Sequence, residues 1–225
     1  MAKSIVLASA SPRRRELLAK LGVTFVTNPA DIAEQLRDGE SPTSFTVRMA
    51  LEKAGVAARQ AGDACVVIGA DTIVVLDGRV LGKPDSPEEA EHYLRMLRGR
   101  WHEVITGLAV LETVPGDAMK DSSRTYAGPG GTSARLVGAR HETTRVMLRP
   151  FTDDEIRAYV ESGDPMDKAG AYAIQNEDFH PVQAVTGSWS NVVGLPLGLT
   201  AELLKAAGVV VPSPPALASD EPDDR

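Results

Sequence analysis

The 225-residue chain is 43% hydrophobic, enough apolar material to bury a full core as one domain. A net charge of −7 argues against a general binder of nucleic acid or of membrane surfaces, so any phosphate site must be built locally from a few basic residues. The one cysteine, Cys65, gives no disulfide framework, the first residues do not read as a signal peptide, and no apolar run approaches a membrane span; a cytoplasmic location is the expectation.

Residues 4–8 read as a short strand and 9–11 as a loop, after which Ser11 caps a helix with Pro12 at its first position. Arg14, Leu17, Leu18 and Leu21 follow helical spacing, and Gly22 supplies the stop. A strand at 24–27 leads into a polar segment holding Asp31 and Glu34. Ser41 and Pro42 open a second helix with an apolar stripe of Val47, Ala50, Leu51 and Ala54. The apolar strand 65–70 is closed by Asp71; Thr72 and a second apolar run, 73–76, follow. Asp77-Gly78 is a two-residue hairpin signal that returns the chain to Gly82-Lys83-Pro84. Ser86-Pro87-Glu88-Glu89 opens a helix running to about 98, and 102–111 reads as a strand. Residues 114–140 carry Pro, Gly, Ser and charge without sustained period, and are expected to form an extended loop insert. A strand at 144–148, a capped helix from Thr152 to about Glu161, an apolar turn at 191–197 and a last helix complete the domain, set at 1–211; 212–225 has the composition of a disordered tail. Strands alternating with helices, with one hairpin, imply α/β with a mixed sheet.

The chemistry concentrates in a few places. Ser9-Ala10-Ser11-Pro12-Arg13-Arg14-Arg15 puts small residues and arginines at a helix N-terminus; it reads either as a solvated basic turn or as a phosphate cradle. A carboxylate set between two core-like runs needs a partner, which singles out Asp71. Glu34 and Asp71 are the metal candidates, since two carboxylates plus water suit Mg²⁺ or Mn²⁺ bridging phosphate oxygens; Glu34 also reads as a surface loop acid, and Asp71 as an end-of-strand acid. The four histidines, His92, His102, His141 and His180, lack zinc-ligand spacing. Lys53 beside its helix stripe and Lys83 before Pro84 read as surface lysines or as phosphate ligands. The small residues around Asp167 and Lys168 suggest a tight ligand-facing turn, with no salt bridge expected between two adjacent side chains. Gln175 reads as a base-reading amide or as a buried glutamine bonded to backbone.

Together these stretches resemble the Maf family of nucleoside triphosphate pyrophosphatases. The resemblance is carried by Leu7-Ala8-Ser9-Ala10-Ser11-Pro12-Arg13-Arg14, Gly69-Ala70-Asp71-Thr72, Leu81-Gly82-Lys83-Pro84, Thr106-Gly107, the run from Asp167 to Gln175, and the run from Gly187 to Leu197. It implies a mixed twisted sheet with flanking helices and two lobes around a cleft, similar to inosine triphosphate pyrophosphatases. It implies cleavage of the α–β phosphoanhydride to a nucleoside monophosphate and pyrophosphate. By the same resemblance Asp71 is the catalytic proton acceptor, Arg13, Thr72 and Gln175 bear on substrate choice, and Glu34, Lys53 and Lys83 line the cleft. Ser9, Arg14 and Lys168 are counted with the substrate-binding set. The Ser-Pro-Arg-Arg, Gly-Lys-Pro and Ala-Ile-Gln stretches look like the branch that prefers dTTP and UTP. A homodimer follows from resemblance alone. Two departures stand out: Asn176-Glu177-Asp178-Phe179-His180-Pro181 replaces the usual glycines and apolar segment, and 114–140 is longer than the family needs. The competing functions are a nucleotide-binding regulator of cell division with little catalysis and, last, a sugar-nucleotide phosphatase or transferase.

Overall fold

The structure, a computed structural model, describes residues 3–62, 64–115, 125–127 and 132–212. In chain order the elements are β1 (Ser4–Leu7), α1 (Pro12–Lys20), β2 (Phe25–Thr27), α2 (Pro42–Gln60), β3 (Cys65–Leu76), β4 (Arg79–Leu81) and α3 (Pro87–Leu97). There follow β5 (Trp101–Pro115), β6 (Thr125–Ala127), β7 (Thr132–Leu148), α4 (Asp153–Glu161), β8 (Val182–Thr186), α5 (Trp189–Val193) and α6 (Leu197–Ala206). Two short 3₁₀ turns, Asp164–Asp167 and Ala169–Ala171, lie between α4 and β8.

Helices α1, α2, α3 and α4 start where hydroxyl caps stand. The side chains of Ser11, Ser41, Ser86 and Thr152 accept from the amides of Arg14, Ser44, Glu89 and Glu155, and Pro12, Pro42 and Pro87 follow the first three caps. At α4 the capping box closes, with Glu155 accepting from the Thr152 amide at 2.7 Å. At α3 it does not: Glu89 reaches one residue further back, to the amide of Asp85 at 2.8 Å. Asp77 and Gly78 both take left-handed φ, 51° and 79°, as a two-residue hairpin turn requires.

All eight strands form one mixed sheet in the order β2-β1-β3-β5-β7-β6, with β4 also paired to β3 and β8 to β7. β1 runs parallel to β2 and β3; every other pairing is antiparallel.

The expectation of a strand ending at Asp71 is corrected: β3 runs unbroken for 12 residues, and Asp71 and Thr72 lie inside it. Alternation along β3 explains their placement. On one face Val66, Ile68 and Ala70 belong to a core with α1 and α6, whereas Val74 and Leu76 belong to a second core with α3 and α4; Thr72 falls between them. On the other face, under α2, Cys65 and Val67 join one cluster and Ile73 and Val75 another, with Asp71 between. The strand is continuous, the cores are not, and the cleft opens where they change over.

The expected loop at 114–140 is also corrected where it is described; 116–124 and 128–131 lie outside the described residues. β5 extends to Pro115 and β7 begins at Thr132, so much of that stretch is a long antiparallel ladder, with β6 added at 125–127. Its period is hard to read because a bulge opposite Val110 and Leu111 shifts the register beside Val137. Gly138 further weakens the signal: a Cβ there would lie 2.7 Å from Leu203 Cδ2. The apolar turn at 191–197 begins inside the short helix α5, and β8 has no counterpart in the sequence reading. The tail from 213 onward lies outside the described residues. Among the described residues, no helix is long and apolar enough to cross a membrane.

Candidate active site

The changeover between the cores opens into a cavity of about 440 Å³, within the range of small-molecule sites. It is lined by the polar and charged Ser9, Arg13, Arg14, Glu34, Lys53, Lys83 and Lys168 and by the apolar or aromatic Val74, Val104, Tyr172, Ile174, Val192 and Val193, with Thr72 and Gln175 also on the wall. Charged and apolar side chains in one cavity suit a ligand that carries both a charged part and a flat, apolar one.

Lys53 is the pivot of the charged cluster. It projects from α2, and its Nζ lies 2.6 Å from Asp71 Oδ1 and 2.6 Å from Glu34 Oε1. Two acids from distant parts of the chain thus converge on one ammonium. Burial pushes the Asp71 carboxyl above its ordinary range, with Glu34 adding to the rise, against the lowering pull of Lys53 and Arg14. Glu34 moves the other way: burial works against its ionisation, but Lys53, Lys83 and Arg14 together hold it below the usual range. Asp71 itself is buried and does not line the cavity; Lys53 and Thr72 stand at the wall beside it.

Glu34 lies in an irregular segment that Arg48 fastens to α2. The Arg48 guanidinium makes a two-pronged contact with Glu40, at 2.7 and 2.6 Å, and donates to the Gln35 carbonyl at 2.9 Å and to Glu52 at 3.1 Å. That pairing holds Glu40 down at about 2. The role of Arg48 beside Glu34 depends on a contact 13 residues back that spacing does not announce.

Ser9 and Arg14 shape the loop between β1 and α1. Ser9 Oγ accepts from the Ser11 amide at 3.2 Å and from Arg14 Nη1 at 3.5 Å. Arg14 donates from Nε to the Gly194 carbonyl at 2.8 Å and from Nη2 to Thr72 Oγ1 at 3.0 Å. Thr72 Oγ1 lies 2.9 Å from Thr106 Oγ1, which donates to the Asn191 carbonyl at 2.9 Å. One relay therefore ties α1, the middle of β3 and β5, and α5. Burial pushes the Arg14 guanidinium below its ordinary value, while Asp71 and Glu34 favour its charge.

Arg13 and Lys83 are the less committed cations. Arg13 has one ion pair, to Asp167 at 3.4 Å; Lys83 is exposed and has none among the described residues. The Gly82 carbonyl, next to Lys83, accepts from the Gly170 amide at 2.9 Å and fixes the hairpin return against the 3₁₀ turns. Contrary to the sequence expectation, Lys168 Nζ does pair with its neighbour Asp167, at 2.7 Å; the ammonium curls back over the turn instead of pointing away. Gln175 is exposed on the cavity wall and its amide has no hydrogen-bond partner among the described residues, which removes the reading as a buried backbone-bonding glutamine. The unusual segment after it folds away from the cavity. Asn176 Oδ1 accepts from the amides of Asp178 and Phe179, at 3.2 and 2.7 Å, and the Phe179 ring stacks on Tyr159 at 4.2 Å.

A family model described as Maf-like protein matches residues 4–207. The chain belongs to the Maf family. Among its relatives is a dTTP/UTP pyrophosphatase of Thermomicrobium roseum, 46% identical over 213 residues, spanning 94% of this chain and 87% of the relative. Another is a dTTP/UTP pyrophosphatase of Moorella thermoacetica, 45% identical over 207 residues, spanning 92% and 96%. A solved Ham1 protein of Coxiella burnetii superposes with a TM-score of 0.42 at 18% identity, covering 92% of this chain and 98% of that one.

Nine of the residues singled out in the sequence, Ser9, Arg13, Arg14, Glu34, Lys53, Thr72, Lys83, Lys168 and Gln175, all reach the one cavity, with Asp71 just behind its wall. As for a metal, among the described residues no group of three or more His, Cys, Asp or Glu side chains could hold one. The donor chemistry still fits Mg²⁺ or Mn²⁺. Glu34 and Asp71 are hard oxygen donors already converging on one cation, and such ions take one or two carboxylates and complete their shell with water and substrate phosphates.

Proposed function

We propose that the protein hydrolyses the α–β phosphoanhydride of nucleoside triphosphates, dTTP and UTP foremost, to the monophosphate and pyrophosphate. The observation that carries the reading is a buried acid, Asp71, held by Lys53 beside a cavity whose walls also carry Arg13, Arg14 and Lys83. Relatives named dTTP/UTP pyrophosphatase across almost the whole chain support the same substrates.

In this reading Asp71 accepts the proton of a water that attacks the α–β anhydride in line. Its raised affinity for protons makes it a better base than an exposed aspartate. Lys53 stands between Asp71 and Glu34, so it must shift toward the phosphates before water can reach Asp71. Arg13, Lys83 and the free donors of Arg14 then meet the charge on the phosphates, where preorganised electrostatics supply much of the rate. Glu34 and Asp71 would hold a divalent ion, whose contribution is to neutralise phosphate charge. Gln175 offers one donor and one acceptor to the base edge, a match for thymine or uracil. The reading places the enzyme in the cytoplasm acting on free nucleotides, not on nucleic acid, in keeping with a net charge of −7. A homodimer belongs to the reading by family likeness.

Incubation with dTTP, UTP and other triphosphates plus Mg²⁺ or Mn²⁺, with the products identified, is the test. Monophosphate and pyrophosphate are expected. Orthophosphate with a diphosphate overturns the bond assignment. One observation favours the regulator reading: Asp71 lies behind the cavity wall, as a binding protein would allow. Asp71→Asn separates the two. Loss of about 10²–10⁴-fold in turnover is expected of a catalytic base, whereas negligible wild-type turnover with nucleotide affinity retained in the variant would favour the regulator.

A further inference from the structure

A lysine ammonium has three N–H donors. In Lys168 all are used by the protein itself: one on the Asp164 carbonyl, one on Asp164 Oδ1 at 2.8 Å and one on Asp167 Oδ1 at 2.7 Å. Asp164 is fixed in turn, accepting from the Tyr159 hydroxyl at 2.6 Å and from Asn176 Nδ2 at 3.1 Å. Lys168 therefore brings charge to the cavity but no free donor for a phosphate oxygen.

What it does bring is Asp167. One oxygen of that carboxylate is anchored on Lys168; the other, Oδ2, lies 3.4 Å from Arg13 Nη2, across the cleft and 154 positions away in the chain. The Asp167 side chain is 64% exposed, so it is free to leave Arg13 without unfolding anything. Of the two arginines on the cavity wall, Arg13 has more donors unused than Arg14, which leaves it open to an incoming polyphosphate.

We propose that Asp167 is a positioning residue for the hydrolytic cycle: a built-in competing anion that occupies Arg13 between turnovers and, by returning to it, weakens the hold on inorganic pyrophosphate. This rests on the pyrophosphatase reading above. A triphosphate displaces the carboxylate, because its terminal phosphates bring more charge to Arg13 than one carboxylate does. After cleavage the two products part, and Asp167 competes for Arg13 with pyrophosphate alone. A nucleoside monophosphate, which in this scheme makes no contact with Arg13, does not feel this competition directly.

The test is a calorimetric titration of wild type, Asp167→Asn and Asp167→Glu with inorganic pyrophosphate and with dTMP in metal-free buffer, alongside steady-state kinetics on dTTP. An exposed ion pair is worth little, so the expected change is modest: Asp167→Asn binds pyrophosphate about two- to five-fold more tightly. Its KM for dTTP is expected to fall by a similar factor and its kcat to fall as release slows. Asp167→Glu should restore the wild-type values, and dTMP should bind all three proteins alike. Unchanged or weaker pyrophosphate binding by Asp167→Asn overturns the proposal, as does an equal gain for dTMP or no measurable pyrophosphate binding by wild type and variant. Because the titration needs no turnover, failure of the pyrophosphatase reading, seen as no hydrolysis by wild type, is distinguishable from failure of this one.

Discussion

Asp71 on β3 pairs in register with Gly107 on β5, and that glycine is where Thr46 of α2 rests on the sheet. A Cβ at 107 would fall 2.2 Å from the Thr46 carbonyl oxygen, and one at Gly69, two residues before Asp71, would fall 2.1 Å from that of Ala50. Bare backbone on both sides of the acid lets α2 sit close enough for Lys53 to reach it. Gly107→Ala is therefore expected to destabilise the protein by about 3 kcal/mol, the upper end of overpacking effects, and to lower turnover by lifting Lys53. Chemical denaturation and activity on the same preparation check it; wild-type values for both would show that the close seat is dispensable.

Lys53→Met removes the largest influence that holds the Asp71 carboxyl down. The carboxyl then rises further, so the acid limb of kcat/KM moves to higher pH. A buried acid with a raised proton affinity disfavours folding above its folded pKa and not below its unfolded one. The variant should accordingly lose more stability at pH 8 than at pH 5, by about 3 kcal/mol at the higher pH, as when one partner of a buried pair is deleted. Denaturation midpoints at the two pH values measure this, and equal losses at both would contradict the raised carboxyl.

Gln175→Glu replaces a donor with a charge at an exposed position on the cavity wall. The expected outcome is a fall of about ten- to a hundred-fold in kcat/KM for dTTP and UTP, with the thermal melt unchanged. Unchanged specificity constants would place base selection elsewhere on the wall. The 176–181 segment is a poor alternative, since none of it lines the cavity.

His102 packs under Tyr172, with Nε2 2.7 Å from the tyrosine hydroxyl and Nδ1 in no well-formed hydrogen bond. Burial holds the imidazole down at about 4, and the backbone of Arg100 offsets this only in part. A histidine depressed in the folded state contributes stability that is whole above its unfolded pKa, near 6.5, and is lost as pH falls toward about 4. Between pH 7.5 and pH 5 the wild type should lose about 2 kcal/mol more than His102→Gln. Urea titrations at both pH values test this; parallel losses would mean that His102 does not carry the acid sensitivity.

The helix starts were legible because caps are local: Ser11, Ser41, Ser86 and Thr152 act on amides three residues on. The hairpin at Asp77-Gly78 was legible for the same reason. Asp71 stood out as a misplaced charge, but its strand was cut short, because an acid and a threonine inside a strand look like an end unless one knows that two cores meet there. The end of β7 was read as a strand at 144–148, but its earlier part was hidden by the bulge and by Gly138, which break the alternation that announces a strand. The cavity residues were legible one by one through resemblance, whereas the roles of Arg48, Asp164 and Asp167 are not. Each acts through a partner set by the fold, and Asp167 meets Arg13 across 154 positions of sequence.

Because β3, β5 and β7 run unbroken beneath both cores, the floor of the cleft is a continuous hydrogen-bonded ladder. Such a floor twists but has no hinge about which two halves could bend. The walls that lack strand pairing are the segment of Glu34, fastened by Arg48, and the turn that carries Lys168 and leads on to Gln175. In mechanical terms the molecule is a stiff plate with two clasps, each latched by its own ion pairs, and the pair from Asp167 to Arg13 ties the second clasp to the first turn of α1.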